Sequence, residues 1–187
     1  MPENPSETGG APAEQARGAV GRPGGPATDA PPTDRELSTS AETPSMEHHR
    51  KLERMYHAAP CNDGVDPALS ITGPGTAEVR IEVDEGDHHA AGAVHGSYYF
   101  KALDDATFFA ANSLVEDVFI LTTDFHIQLT RPVSVGEIVA TAEVVNDHPR
   151  QLVADCRLRD GDGEQLARGT GTFQRSDVEL TPEVGYE

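Results

Sequence analysis

Acidic residues dominate this sequence of 187 residues, with 32 Asp and Glu against 14 Lys and Arg and a formal net charge of −18 at pH 7. A surface of that charge repels phosphate backbones and anionic lipids, which argues against a nucleic-acid-binding protein. The length fits one domain with an appendage. Two lysines and no tryptophan in so acidic a chain suggest a halophilic protein, a hypothesis that unfolding in low salt would support.

Two cysteines, Cys61 and Cys156, form neither a disulfide framework nor a CxxC zinc pattern. We therefore expect reduced thiols and a cytoplasmic location. No apolar run approaches the ~20 residues of a membrane span, so we expect no membrane association. The segment MPENPSETGG has neither the basic region nor the apolar region of a signal peptide.

Residues 1–45 are rich in Pro, Gly, Ala, Ser, Thr and Glu and show no hydrophobic periodicity. This composition is typical of a disordered tail, because it offers too little apolar surface to form a core. The sequence therefore predicts one folded domain over residues 46–187, and Met46 is a plausible alternative start.

A helix is predicted at the beginning of this domain, with Ser45 as a candidate N-cap and Pro60 as a stop. Its apolar residues recur at helical spacing: Leu52, Met55 and Tyr56. His48 and His49 lie on the same helix, and we expect them to be solvated.

Six later segments have the features of strands. They are LSITGPG, TAEVRIEVD, VFILTTDFHIQL, EIVATAEVVND, QLVADCRLRD and EQLARGTGTFQ. TAEVRIEVD alternates apolar and charged residues strictly, and GDG at 161–163 predicts a hairpin turn. In QLVADCRLRD, Cys156 falls on the apolar face and is expected in the core. The short turns between strands favour a largely antiparallel sheet.

Between the second and third of these strands, the sequence predicts a helix from Ser97, as N-cap, to about Leu114. It is apolar almost all round, which is typical of a buried helix. We therefore predict an α+β fold, in which a curved antiparallel sheet wraps around one central helix and the N-terminal helix is an addition.

Only Lys101, Asp104 and Asp105 are charged within that helix. A carboxylate held in an apolar wall can act as a base or a nucleophile, because burial raises its pKa and fixes its position. Alternatively, either aspartate faces solvent on a residual polar stripe. We favour the functional interpretation for Asp104 and the solvent-facing one for Asp105.

The start of the central helix offers a second functional feature. Backbone N–H groups at Gly96 and Ser97 are unpaired there, and the helix dipole adds positive charge, so a carbonyl oxygen gaining negative charge could bind. Asp104 lies eight residues further on, ~12 Å along the axis. If Gly96 and Asp104 act on one substrate, they must come from two subunits.

The stretch HHAAGAVHGSYYFKALDDATFFAANS resembles the signature of the hotdog-fold acyl-CoA thioesterases, in their PaaI-like (phenylacetate-pathway) branch. That signature combines a small-residue turn, His-Gly-Gly, and an acidic residue one helix segment later. FHIQLTRPVSVGEIVATAEVV is similar to the family's strand pair, with an aromatic residue, Arg-Pro and Gly at the family spacing. The resemblance covers residues 66–176 and implies thioester hydrolysis in a homodimer or a homotetramer.

The resemblance also implies roles for individual residues. Asp104 matches the catalytic carboxylate, which activates water or attacks directly, and Gly96 matches the amide that polarises the thioester carbonyl. His95 matches the histidine that holds the thioester end. Thr122 falls at a Ser or Thr near the catalytic water, and His89 falls where some relatives have an Asn.

Departures from the family pattern affect the expected substrate site. Ser97 replaces the second Gly of His-Gly-Gly and could narrow the pocket, while Tyr99 belongs to a bulky aromatic wall that could favour short or aromatic acyl groups. Coenzyme A is expected only as part of the substrate, with Arg131 and Arg150 as candidates for its phosphates; a structural salt bridge is as good an explanation for each arginine.

Several alternatives remain open at the level of sequence. A non-catalytic acyl-CoA-binding hotdog module and a hotdog hydratase or dehydratase would share the fold. A metal site among His88, His89 and His95 is disfavoured, because no carboxylate or Cys lies at a recognised ligand spacing. We therefore expect neither a metal nor a retained cofactor.

Overall fold

The computed structural model describes residues 44–187. The tail predicted for residues 1–45 lies outside this range except for its last two residues. Within the range, no helix is both long and apolar enough to cross a membrane.

Two α-helices and six strands make up the described chain. In chain order they are α1 (Met46–His57), β1 (Ala68–Gly73), β2 (Thr76–Val83), α2 (Gly96–Asn112), β3 (Val118–Leu129), β4 (Gly136–His148), β5 (Gln151–Asp160) and β6 (Gln165–Glu179). The strands form one antiparallel sheet in the order β1-β2-β4-β5-β6-β3. The predicted α+β hotdog architecture is confirmed, with α1 as the additional helix.

The sheet presents one apolar face to α2, as the alternation in β2 predicts. Ala77, Val79, Ile81 and Val83 are buried. The intervening Arg80 points outward, where it forms ion pairs with Glu78 and Glu137. Because the side chains of a strand alternate between its faces, this register places every apolar residue of β2 in the core.

Helix α2 is buried along most of its length, as its all-round apolar sequence predicts. Ala102, Leu103, Ala106 and Ala110 have no exposed surface. Their small side chains let the helix lie close to the sheet, and Leu103 fills the space between them. Full burial of one leucine contributes about 1.5–3 kcal/mol, so this face of α2 is a main source of stability.

Strands β3 and β6 approach closely at Gly169. A Cβ there would lie 2.7 Å from the Phe125 ring and 2.9 Å from the backbone oxygen of His126. Glycine is therefore required at this position for β3 to pair with β6 in the observed register. This pairing matters because β3 carries residues of the candidate site.

Helix α1 packs against the far end of α2, and its two histidines correct an expectation. Ser45 caps α1 as predicted, its Oγ accepting from the His48 N–H at 3.2 Å. His48 and His49 are only 2 % and 8 % exposed, so the prediction that they are solvated is wrong. Tyr186, far along the chain, returns to cover α1, and sequence spacing carries no signal for that contact.

His48 joins three parts of the fold through both ring nitrogens. Its Nδ1 lies 2.7 Å from the hydroxyl of Tyr186 and its Nε2 lies 3.0 Å from the backbone oxygen of Asn112. Because a carbonyl can only accept, Nε2 carries the proton and Nδ1 accepts from the tyrosine. Burial lowers the pKa of His48, while its bond to Asn112 acts in the opposite direction.

Candidate functional site

The N-terminus of α2 is capped by a histidine side chain. His95 is the N-cap and Gly96 is the first helical residue, so the prediction of Ser97 as N-cap is wrong. The Nδ1 atom of His95 accepts from the Ser97 N–H at 3.2 Å and lies 2.9 Å from Ser97 Oγ. The ring supplies the acceptor that a serine would otherwise provide, and Nε2 of this exposed residue has no hydrogen-bond partner among residues 44–187.

The cap leaves the N–H of Gly96 unused. Residues 44–187 provide no acceptor for it, whereas the Ser97 N–H is already bonded to His95. A Cβ at position 96 would lie 3.3 Å from the Leu129 side chain of β3, so a larger residue would crowd this corner. A free N–H at a helix N-terminus is suited to polarise a carbonyl oxygen.

Asp104 lies two turns further along α2, on the side that faces β3. The hydroxyl of Thr122 donates to Asp104 Oδ1 at 3.1 Å. Burial raises the pKa of Asp104 to about 6, although the Thr122 hydrogen bond acts in the opposite direction. The neighbouring Asp105 raises this pKa further and Lys101 lowers it. A carboxyl group poised near neutral pH can exchange protons at working pH.

Asp105 does not face solvent, contrary to the expectation from sequence. Its side chain is 19 % exposed and forms an ion pair with Lys101, at 3.0 Å from Nζ. The hydroxyl of Tyr56, on α1, donates to the same carboxylate oxygen at 2.6 Å. The i,i+4 spacing of Lys101 and Asp105 was a usable signal for this pair, but nothing in the sequence indicated Tyr56.

Other residues predicted for the site lie apart from Asp104 within one chain. His89 is exposed in a tight turn that ends at Gly92, where φ is 81°, and its Nδ1 accepts from the Ala91 N–H at 3.1 Å. Its own turn therefore uses one of its two ring nitrogens. The structure joins Thr122 to Asp104 and joins His95 to Ser97, but these two groups lie about two turns apart along α2.

The residues predicted to contact the substrate have intramolecular partners. Tyr99 is 3 % exposed; its hydroxyl donates to the Arg131 backbone oxygen at 3.2 Å and accepts from the Val133 N–H at 2.8 Å. Tyr99 thereby anchors the loop after β3. The guanidinium of Arg131 pairs with Glu164 on the surface, and Arg150 lies in the turn between β4 and β5.

Metal ligands do not gather in the part of the chain that the structure describes. No three His, Cys, Asp or Glu side chains between residues 44 and 187 are arranged to hold an ion. The chemistry available here is that of a carboxyl group, a hydroxyl group and a backbone N–H.

Comparisons with known proteins agree with this fold. Residues 91–167 match the family model described as the thioesterase superfamily. A candidate esterase of Saccharolobus solfataricus is 24 % identical over 99 residues, which cover 53 % of this chain and 66 % of that protein, just under two thirds of its length.

Solved structures with a similar fold include those of two bacterial proteins. The Escherichia coli PaaI protein from the phenylacetic acid degradation operon superposes with a TM-score of 0.68 and 21 % identity, over 74 % of this chain and 100 % of that one. A thioesterase of Haemophilus influenzae superposes with a TM-score of 0.63 and 16 % identity, over 71 % of this chain and 92 % of that one. Residues 91–167, which contain Gly96 and Asp104, are thus similar to the thioesterase superfamily, and the chain has the hotdog fold of these solved structures.

Proposed function

We propose that this protein hydrolyses an acyl-CoA thioester to a free acid and CoA, with Asp104 of one subunit and the Gly96 amide of a second subunit at each site. The observation that carries the proposal is the Asp104 carboxyl group, partly buried on the central helix of a thioesterase-family domain and held by Thr122. CoA is part of the substrate, and the proposal requires no retained cofactor. The location that we propose is cytoplasmic.

Asp104 acts as a general base in this proposal. Thr122 engages Oδ1, which orients the carboxylate and leaves Oδ2 to take a proton from water. The water oxygen bonds to the thioester carbon, and the resulting tetrahedral intermediate collapses by breaking the C–S bond. The CoA sulfur leaves and recovers the proton, directly from Asp104 or through water. The alternative is direct attack by Asp104 to form an anhydride, with the same overall balance.

The substrate carbonyl oxygen binds to the Gly96 N–H of the partner subunit. Gly96 and Asp104 of one chain are separated by eight residues, ~12 Å of helix, which is too far for one reacting carbon. A backbone N–H aimed at a developing oxyanion commonly contributes a factor of about 10²–10³ to the rate. The exposed His95 and Ser97 lie beside this amide, where they can hold the thioester end.

A second copy of the chain fits the free edge of β3. This strand ends the sheet, so one row of its N–H and C=O groups has no partner in residues 44–187. Leu121 and Leu129 on β3 are 52 % and 54 % exposed, and Phe100 of α2, which packs on Phe125 of β3, is 42 % exposed. Pairing of two β3 edges would cover apolar surface and form one continuous sheet. We therefore propose a homodimer as the minimal active unit.

The remaining assignments concern substrate recognition. We propose that Arg131 and Arg150 bind the phosphates of CoA, since both guanidinium groups are at the surface. His89 lies in the turn before α2 and would approach the thioester across the subunit boundary. Tyr99 contributes by holding the loop that carries Arg131.

The first test measures thiol release from short, aromatic and long acyl-CoA substrates in high KCl, with wild type, Asp104→Asn and the control Asp117→Asn. Asp117 forms an exposed ion pair with Arg175, so its loss removes a carboxylate without touching the site. We expect turnover by wild type and control and a loss of about 10²-fold or more in Asp104→Asn. Ligand-dependent stabilisation without turnover would indicate a binding module, and consumption of an enoyl-CoA double bond would indicate a hydratase; either result would refute the proposal.

A further inference from the structure

The two adjacent aspartates of α2 point to different neighbours. Successive residues of a helix differ by about 100° in direction, so Asp104 reaches Thr122 on β3 while Asp105 reaches Tyr56 on α1. Asp105 is thus one of the points at which the additional N-terminal helix is tied to the central helix, and it lies one residue from the proposed base.

The group that holds Asp105 forms a closed ring of hydrogen bonds. Lys101 Nζ contacts Asp105 Oδ2 at 3.0 Å and Asn62 Oδ1 at 2.6 Å. The Asn62 side-chain N–H donates to the backbone oxygen of Tyr56 at 2.6 Å, and the hydroxyl of Tyr56 returns to Asp105 at 2.6 Å. Asn62 is 5 % exposed. Since each member has a fixed partner, the charges of Lys101 and Asp105 are held in place relative to α2.

Few other titratable groups act on Asp104 from the elements packed around it. On α2 they are Lys101 and Asp105, with opposite charges. On β5 the Cys156 thiol is buried, and burial raises its pKa to about 12, so it is neutral at working pH. Thr122 on β3 donates a hydrogen bond but does not titrate. Tyr56 on α1 is also neutral, because burial and then the Asp105 charge raise its pKa. The ion pair of Lys101 and Asp105 is therefore the source of fixed charge next to Asp104.

We propose that Asp105, locked by Tyr56 and Lys101, is a positioning residue that fixes the charge balance next to Asp104. This inference rests on the proposed function for its effect on catalysis. The effect of the fixed Lys101–Asp105 ion pair on the protonation of Asp104 can be measured without a substrate.

Opposite consequences follow from removing either charge. Asp105→Asn removes the negative charge and leaves Lys101, so ionised Asp104 is stabilised. Lys101→Met removes the positive charge and keeps most of the aliphatic chain, so ionised Asp104 is destabilised. We expect the midpoint of the Asp104 titration to move down in the first variant and up in the second, each by about half to one pH unit, as for a unit charge in a partly solvated site.

A third variant separates charge from structure. Tyr56→Phe removes the hydroxyl group but keeps both charges and the ring that packs on Phe109, with centroids 5.0 Å apart. If α1 acted only by supporting the fold, this variant and the two charge variants would change the titration in the same direction. We expect the midpoint of the Asp104 titration to move less in Tyr56→Phe than in either charge variant.

The experiment titrates the carboxyl ¹³C resonance of Asp104 by NMR in the full chain, assigned with Asp104→Asn, and records the pH dependence of kcat/KM in parallel. Opposite displacements in Asp105→Asn and Lys101→Met, with folded protein in each, support the proposal. Displacements of the same sign, or none, overturn it. If wild type turns over no acyl-CoA, the proposed function fails, and the NMR titration still decides whether the ion pair controls Asp104.

Discussion

Replacing Asp104 with Asn should make the protein more stable at neutral pH while abolishing its activity. Folding raises the pKa of Asp104 from 3.8 to about 6, so the folded state holds this proton more tightly than the unfolded state does. Between pH 3.8 and about pH 6, the folded chain binds more protons than the unfolded chain. The contribution of Asp104 to stability therefore falls as the pH rises through this range. Above about pH 6, the ionised carboxylate is a cost that an asparagine side chain does not carry.

The size of this cost follows from the pKa difference. A change of one pKa unit corresponds to about 1.4 kcal/mol, so roughly two units set an upper limit of about 3 kcal/mol. The side chain is only partly buried, and solvent screening reduces the effect to about 1–2 kcal/mol. The side-chain oxygen of the introduced asparagine can still accept the Thr122 hydrogen bond, so the substitution does not leave an unpaired hydroxyl group.

The assay is urea unfolding of wild type and Asp104→Asn at several pH values between about 4 and 8, at constant KCl concentration. Comparing the two proteins at each pH isolates Asp104 from other titrating groups. We expect nearly equal stabilities at the acid end of this range and an advantage of about 1–2 kcal/mol for the variant near pH 7. A variant that is less stable at neutral pH, or a difference that does not change with pH, would refute the assignment of a buried, reactive carboxyl group.

Three further predictions address the site and the core. Thr122→Val removes the hydrogen bond that favours ionised Asp104, so the acid limb of kcat/KM should move to higher pH; an unchanged limb would contradict the assigned bond. Leu103→Ala leaves a cavity beneath α2 and should cost about 2–5 kcal/mol in urea unfolding, whereas a cost below about 1 kcal/mol would argue against the observed packing. Burial lowers the pKa of His48 from 6.5, so the contribution of this residue to stability should be lost as the pH falls below 6.5. Thermal unfolding of His48→Gln should therefore depend less on acid pH than thermal unfolding of wild type. An equal dependence would be inconsistent with a buried neutral ring.

The sheet and the central helix could be predicted because their sequences carry strong periodic signals. The alternation in β2 and the apolar run of α2 have the periods of the structures that they form. From its position in that apolar run, Asp104 was predicted as a site residue, and Thr122 was predicted to lie near the catalytic water by resemblance to a known signature. The structure shows the hydrogen bond between the two side chains.

Contacts between distant segments could not be predicted in the same way. His95 replaces Ser97 as the cap because its ring can reach a backbone N–H, and this geometry is not among the usual cap preferences. Asp105 is removed from solvent by α1, and His48 is buried by a residue 138 positions further along. The last two predictions were wrong for the same reason. Residue type and spacing describe a single helix or strand, and they do not show which distant segment packs against it.

The bond between His48 and Tyr186 also bears on how the chain folds during synthesis. Helix α1 is the first described element to be made, yet its buried imidazole gains its phenol partner only after 138 further residues have been added. Until then, the imidazole of His48 lacks this partner, and α1 cannot complete its hydrogen bonds. The N-terminal helix should therefore be the last part of the domain to become protected from proteolysis in a growing chain.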